Sequence, residues 1–336
     1  MKIAILSSIA WRTPPRKYGP WEQIASSIAE GMVEQGLDVT LFATGDSYTK
    51  GKLCSVCEEP YAENTDIDPK VAECLHISNL MEQADQFDII HNNFDFLPLS
   101  YSRLIKTPII TTIHGFSSPK IIPVYKKYNK DGYYVSISNS DRSQELDYVA
   151  TVYNGIDPKK FSLSHEPEDF LLYFGRIHPH KGAYEAIQIA KTSKRKLIIS
   201  GIIQDENYFK TKVKPFINND DIIFLGNSGP KERNRLLGKA FALLHPISFD
   251  EPFGLSVVEA MMCGTPVIAF NRGSMPEIIL NEKTGFLVNT IKSASISVNN
   301  VQYIKRKACR EWAVSKFSMK NMIQNYLQLY KQIPGK

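Results

Sequence analysis

The chain of 336 residues contains no stretch approaching the ~18 consecutive apolar residues that a membrane span needs, so a spanning protein is not expected. It has little excess charge: +5 at neutral pH is too small to argue for nucleic acid, though it suits a phosphate-bearing ligand or an anionic surface. Neither half carries a GxGxxG after its first strand pattern, which disfavours nicotinamide and flavin chemistry. Absence of GxxxxGK[ST] and of GxSxG disfavours a P-loop motor and a nucleophile-elbow hydrolase. No period of solenoid type is present. Cysteine is scarce, five in all. Cys54, Cys57, Cys74 and His76 have the residue types of a zinc set, but Cys74-x-His76 is not a usual second half. Incidental thiols in a reducing cytosol are the expected reading, with Cys263 and Cys309 as filler. The opening Met1–Ala10 has one cation and an apolar run but no small-residue cleavage pattern, so it reads as a strand, not a signal peptide. A cytoplasmic protein is expected.

What is present is a steady alternation of short β patterns with amphipathic helices, which predicts an α/β protein with parallel sheets. The length suggests two domains. In the first, Ile3–Ser8 reads as a strand, 21–35 as a helix entered through Pro20 and ended by Gly36, and Asp38–Ala43 as a second strand. Strands at Phe87–His91, Pro108–His114, Tyr133–Ser138 and Val149–Tyr153 follow. The segment 45–82 is weakly patterned; its Asp66-Ile-Asp68 resembles a metal-holding DxD triplet but reads as a chance match in a loop. Composition shifts at Asn154–Pro158, placing the boundary between 1–158 and 159–317, with a C-terminal helix in 318–336. The second domain predicts strands at Phe170–Gly175, Lys196–Gly201, Asp221–Leu225, Ala242–Pro246, Pro266–Phe270 and Gly285–Val288. Helices are predicted at Ala183–Lys191, Tyr208–Ile217, Pro230–Lys239, Gly254–Cys263 and Met275–Ile279.

Two loops carry the chemistry. Glu251-Pro-Phe-Gly254-Leu-Ser-Val-Val-Glu259 sets two carboxylates eight positions apart around a glycine where loop turns into helix. A helix N-terminus offers backbone N–H groups and a positive dipole end to a phosphate, and flanking carboxylates can grip hydroxyls. Gly175-Arg176-Ile-His-Pro-His-Lys181-Gly182 places a guanidinium and an ammonium five residues apart after a strand, where open α/β sheets bind ligands. A sugar–diphosphate–nucleoside fits that equipment. His178, His180, Trp11 and Trp21 read as loop or packing residues.

With these residues in hand, the chain resembles a retaining glycosyltransferase of the GT-B fold, family 4 of the glycosyltransferases. The likeness rests on Gly175-Arg176 with Lys181-Gly182, Phe224-Leu-Gly226, Glu251-Pro-Phe-Gly-Leu with Glu259-Ala-Met, Gly264-Thr-Pro-Val, and Glu277 with Thr284-Gly-Phe-Leu-Val. In the first half it rests on Tyr18-Gly19, Ile113-His114-Gly115 and Asn154-Gly-Ile-Asp157. Family members often carry paired glycines where this chain has Gly19-Pro20. The resemblance implies two Rossmann-like domains facing a central cleft, with a C-terminal helix crossing back to the first. It implies that Arg176 and Lys181 hold the donor diphosphate, that Glu251 contacts the transferred sugar and that Glu259 accepts from the ribose. Backbone around Phe253, Gly254, Leu255 and Ser256 would face sugar and phosphate. His114 would reach the sugar, Gly19 would let its loop approach the phosphates, and Gly226 and Asn227 would lie beside the base.

The implied reaction retains configuration and uses no cofactor and no metal, the nucleotide sugar being a co-substrate. UDP-sugar is the favoured donor and GDP-mannose the next; the acceptor is a glycan, lipid-linked or small-molecule hydroxyl. The segment 120–130 mixes base with apolar residues; a solvated helix edge is expected there, with peripheral membrane contact as the alternative. Two rivals stand beside this reading: a phosphorylase or epimerase on the same fold, and a non-catalytic sugar-nucleotide binder.

Overall fold

Short β-branched runs alternating with helices leave each strand parallel to its neighbours, since a helix is the natural crossover between parallel strands. The computed structural model describes residues 1–116 and 118–333, and the chain divides into two units. The first opens with β1 (Lys2–Leu6), α1 (Pro20–Glu34), β2 (Asp38–Phe42) and β3 (Lys52–Cys54). It continues through α2 (Pro69–Met81), β4 (Ile89–Asn92), β5 (Ile109–Ile113), α3 (Ile122–Lys127), β6 (Tyr133–Ser136) and β7 (Tyr148–Thr151). The second unit holds β8 (Phe170–Phe174), α4 (Ala183–Ser193), β9 (Lys196–Ser200), α5 (Glu206–Tyr208) and β10 (Ile222–Gly226). It goes on with α6 (Pro230–Lys239), β11 (Ala242–His245), α7 (Leu255–Met262), β12 (Val267–Phe270), α8 (Met275–Ile278) and β13 (Gly285–Val288). Helices α9 (Ile291–Asn300), α10 (Arg306–Phe317) and α11 (Met319–Gln332) end the described chain.

Unit one is Met1–Gly155 together with the chain from Met319 onward, and unit two is Ile156–Ser318. At the breaks, Ile156 pairs with Ser318. The first sheet has seven strands in the order β3-β2-β1-β4-β5-β6-β7, and the second six in the order β10-β9-β8-β11-β12-β13. In each, strand order reverses once, between β1 and β4 and between β8 and β11. The loops leaving the carboxyl ends of those strands border the crevice where doubly wound sheets take ligands.

Helix α11 returns to unit one as the resemblance implies. Its Ile323 lies against Gly31 of α1, where any Cβ would collide with it. Its polar edge is also paired: Tyr330 bonds His91 Nδ1 at 2.6 Å and Tyr326 bonds Thr112 at 2.7 Å.

Two expectations are corrected. The weakly patterned segment 45–82 contains β3 and α2, and Asp68 of the DxD triplet caps α2 by accepting from Val71 N at 3.1 Å. The helix expected over 208–217 is broken into α5, a π-helical turn (Phe209–Val213) and a 3-10 turn (Lys214–Phe216). Pro215 lacks the N–H and crowds the preceding turn. Around α2, the cysteine-histidine group is dispersed: His76 Nε2 bonds the carbonyl of Ser7 at 3.0 Å and Asn79 donates to Cys54 Sγ at 3.3 Å. Cys74 is exposed. Among the described residues no group of three or more His, Cys, Asp or Glu is placed to hold a metal ion.

Candidate functional site

The reversal point of the second sheet is flanked by the loops 175–182 after β8 and 246–254 after β11. Gly182 has a left-handed backbone (φ 77°), and a Cβ there would run into the carbonyl of Pro246, so the two loops meet where only glycine fits. Backbone bonds reinforce the contact: Ser248 N donates to the carbonyl of His180 at 3.0 Å. The result joins two residues far apart in sequence. Lys181 Nζ lies 2.5 Å from Glu251 Oε2, both side chains mostly buried, and also sits 4.6 Å over the ring of Phe249. Arg176 lines the same pocket with His178, His180, Gln204 and Phe249, and its Nη1 donates to Gln204 Oε1 at 2.7 Å.

Burial pushes the Glu251 carboxyl up, but His245 and Lys181 outweigh it and hold it down to about 2. The carboxylate is therefore ionised at any working pH. Gly254 (φ 88°) caps the start of α7, and a Cβ there would meet Met275 Cε at 2.7 Å. The preceding loop is tied down by Ser274, whose N donates to the Glu251 carbonyl at 2.9 Å and whose Oγ donates to the Phe253 carbonyl at 2.8 Å. The Phe253 ring is buried against Phe317, 5.8 Å between centroids, so it anchors the loop from inside the unit. Leu255 and Ser256, half-buried, open the helix.

Glu259 lies further along α7, buried, with Arg233 of α6 3.4 Å away. Burial raises its pKa and the guanidinium opposes that rise. Gly226 ends β10 at the sheet edge and Asn227 follows it; the Gly226 carbonyl accepts from Ser200 Oγ at 3.0 Å and Asn227 is exposed. The structure thus places Arg176 and Lys181 in one pocket, with Glu251 paired to Lys181 behind it. It gives Glu259 its own partner and sets Gly226 and Asn227 two strands from β8.

In unit one, His114 follows β5. Its Nε2 is 3.1 Å from Asn93 Oδ1, and the Trp21 ring stacks on it at 5.8 Å. Burial lowers its pKa to about 3, so it is neutral, donating Nε2–H to Asn93 and keeping Nδ1 as an acceptor. Gly19 (φ 149°) precedes Pro20 at the start of α1; a Cβ would meet Pro15 Cβ at 2.8 Å and Glu22 Oε2 at 3.0 Å. Trp11 packs edge-on against Tyr18. In the segment 120–130, Tyr125 and Tyr128 are core residues, Lys126 pairs with Glu145 at 2.9 Å, and Lys130 pairs with Asp147 at 2.6 Å. No helix among the described residues is long and apolar enough to cross a membrane.

Four site neighbours escape sequence reasoning: Asn93, Gln204, Arg233 and His245. Only His245 carries a sequence signal, a polar residue at the end of the apolar β11 immediately before a proline.

Residues 156–306 match the family described as glycosyl transferases group 1. Over 98% of its length and 98% of the relative's, the chain is 23% identical to an uncharacterized glycosyltransferase of Methanocaldococcus jannaschii. It is 27% identical to the O-antigen chain mannosyltransferase RfbU of Salmonella typhimurium, over 53% of this chain and 52% of that one. Among solved structures, HepE of Anabaena in complex with UDP and glucose superposes with a TM-score of 0.75 at 19% identity, covering 99% of this chain and 100% of that chain.

Proposed function

We propose that this chain, a glycosyltransferase of the GT-B fold whose residues 156–306 match the glycosyl transferases group 1, transfers a hexosyl group from a UDP-sugar to a hydroxyl with retention of configuration. In the proposed reaction the bond from the anomeric carbon to the diphosphate breaks. The acceptor oxygen bonds that carbon from the same face, and its proton passes to a phosphate oxygen. Arg176, Lys181 and the start of α7 at Gly254 oppose the charge that grows on the leaving diphosphate, so they act more strongly in the transition state than before it. Glu251 accepts from hydroxyls of the transferred sugar, Glu259 from the ribose, and His114 accepts through Nδ1. With two cations already facing the phosphates, no divalent metal is required.

The single observation that carries this reading is that Lys181, paired with Glu251, shares a pocket with Arg176 where the second sheet reverses its strand order. The UDP held by the HepE structure supports the uridine donor. The decisive test is incubation with UDP-, GDP- and ADP-sugars and a panel of hydroxyl acceptors, with the product anomer assigned by NMR. An inverted product defeats the mechanism. Activity lost in EDTA and regained with magnesium defeats the metal-independent step. Sugar release by inorganic phosphate, epimerisation without an acceptor, or tight nucleotide binding with no turnover would each favour one of the rivals. The similarity to an O-antigen mannosyltransferase favours one second reading, GDP-mannose with a glycan acceptor.

A further inference from the structure

The Lys181–Glu251 pair has a third neighbour. His245 ends β11, fixed by backbone pairing with Ala269 of β12, and its ring is buried. Its Nε2 has no hydrogen-bond partner, yet it lies 3.6 Å from Glu251 Oε2, the oxygen that Lys181 holds at 2.5 Å. A buried N–H just beyond bonding distance of a carboxylate is an expensive arrangement unless the bond is made in another state.

The proposed chemistry supplies that state. A diphosphate at this loop competes with Glu251 for the three N–H donors of the Lys181 ammonium. Were Lys181 to leave alone, Glu251 would be stranded as a buried, unpaired carboxylate, which is strongly unfavourable. We propose that His245 is a positioning residue that takes over Glu251 when Lys181 moves to the donor diphosphate. The hand-over needs only that Nε2 present its N–H to the carboxylate. A small closure brings the atoms to hydrogen-bond distance, and a strand end supplies the rigid mounting that keeps the carboxylate aimed at the sugar. This rests on the donor reading above.

The test uses the full chain and three forms: unchanged, His245→Phe and His245→Gln. Phenylalanine keeps a ring and removes the donor; glutamine restores an N–H of similar reach. Hydrolysis of UDP-glucose (or of whichever nucleotide sugar the unchanged protein accepts) and the melting-temperature rise with nucleotide are measured. His245→Phe should slow hydrolysis about 10–100-fold, the worth of one charge-assisted hydrogen bond. It should shrink the nucleotide-induced rise while leaving the melting temperature without nucleotide little changed. His245→Gln should recover most of the rate. In the unchanged protein, the 15N signal of His245 Nε2 should move on addition of inorganic pyrophosphate. If His245→Phe instead melts lower by the same amount with and without nucleotide and hydrolyses normally, or if the 15N signal stays still, the hand-over is overturned. No response of the unchanged protein to UDP, GDP, ADP or their sugars overturns the donor reading, and the hand-over falls with it.

Discussion

The two units share a strand order around their reversal points but bury polar groups in opposite ways. At the carboxyl ends of the first sheet the buried polar side chains are mostly neutral: Ser7, Ser8, His91, Asn92, Asn93 and Ser136, with Glu22 the acidic exception. They bond to neutral neighbours, as His91 does to the hydroxyls of Tyr330 and Thr112. The second sheet instead mounts opposite charges in pairs, Lys181 with Glu251 and Arg233 with Glu259. A neutral network is complete in itself and rigidifies its surroundings. A buried ion pair can exchange partners, which makes it the natural place to receive an anionic ligand.

The sharpest way to break this contrast is to remove the charges one at a time. Arg176→Ala and Lys181→Ala should each lower turnover about 100–1,000-fold, the cost of one donor to a developing oxyanion. They should differ in stability. Arg176 is half-exposed and bonds only Gln204 among the contacts described for its guanidinium, so its loss should leave the melting temperature nearly unchanged. Lys181→Ala removes one partner of a mostly buried pair and should melt lower. Turnover near normal in either variant would defeat the assignment of charge to unit two.

Next in size is Arg233→Met. It strands the buried Glu259 and should destabilise the protein by about 3 kcal/mol in urea unfolding, while Arg233→Met with Glu259→Gln should recover much of that loss. Equal losses in the single and double variants would show that the pair is not coupled.

The neutral side of the contrast makes a pH prediction. The native pKa values of His91 and His76, about 3 and about 4, lie below the ordinary 6.5 because burial disfavours the charged ring. Between pH 6.5 and about 4 the unfolded chain therefore binds protons that the folded chain refuses, and stability falls as pH falls, by about 1.4 kcal/mol per pH unit per histidine. Glu251, held down to about 2, runs on a lower window: its contribution is complete above pH 4.5 and is lost progressively as pH falls from there through 2. Unit one should thus loosen in acid before the site of unit two. Trp11 and Trp21 report on unit one and Trp312 on unit two. Fluorescence of Trp312→Phe should therefore change at higher pH than that of the double variant keeping only Trp312; coincident transitions would refute the ordering. The smallest effect expected is at 120–130. With Lys126 and Lys130 paired to acids, pelleting with anionic liposomes should stay near background at moderate salt.

How much was legible follows the same division. Alternating strands and helices and the helix start at Gly254 are readable, because each is a local pattern. The Lys181–Glu251 pair is not: the resemblance assigns the two residues to different parts of the donor, and the close approach of Gly182 to Pro246 and the Ser248–His180 backbone bond bring them together. Arg233 sits in the run Lys231-Glu-Arg-Asn-Arg235, where nothing local marks the one arginine that faces inward. Helix α2 was missed because Val71 and Leu75 point to solvent and blur its apolar stripe. Pro215 carries a local signal for the break in 208–217, set against the apolar residues around it.

The return of α11 to unit one has a consequence for biosynthesis. Unit two is one uninterrupted stretch of chain, whereas unit one lacks its last helix until residues beyond Met319 have left the ribosome. Domains that are continuous in the chain can close as they emerge. The lobe translated first is therefore the last to be completed, waiting with Gly31, His91 and Thr112 uncovered for the tail that seats against them.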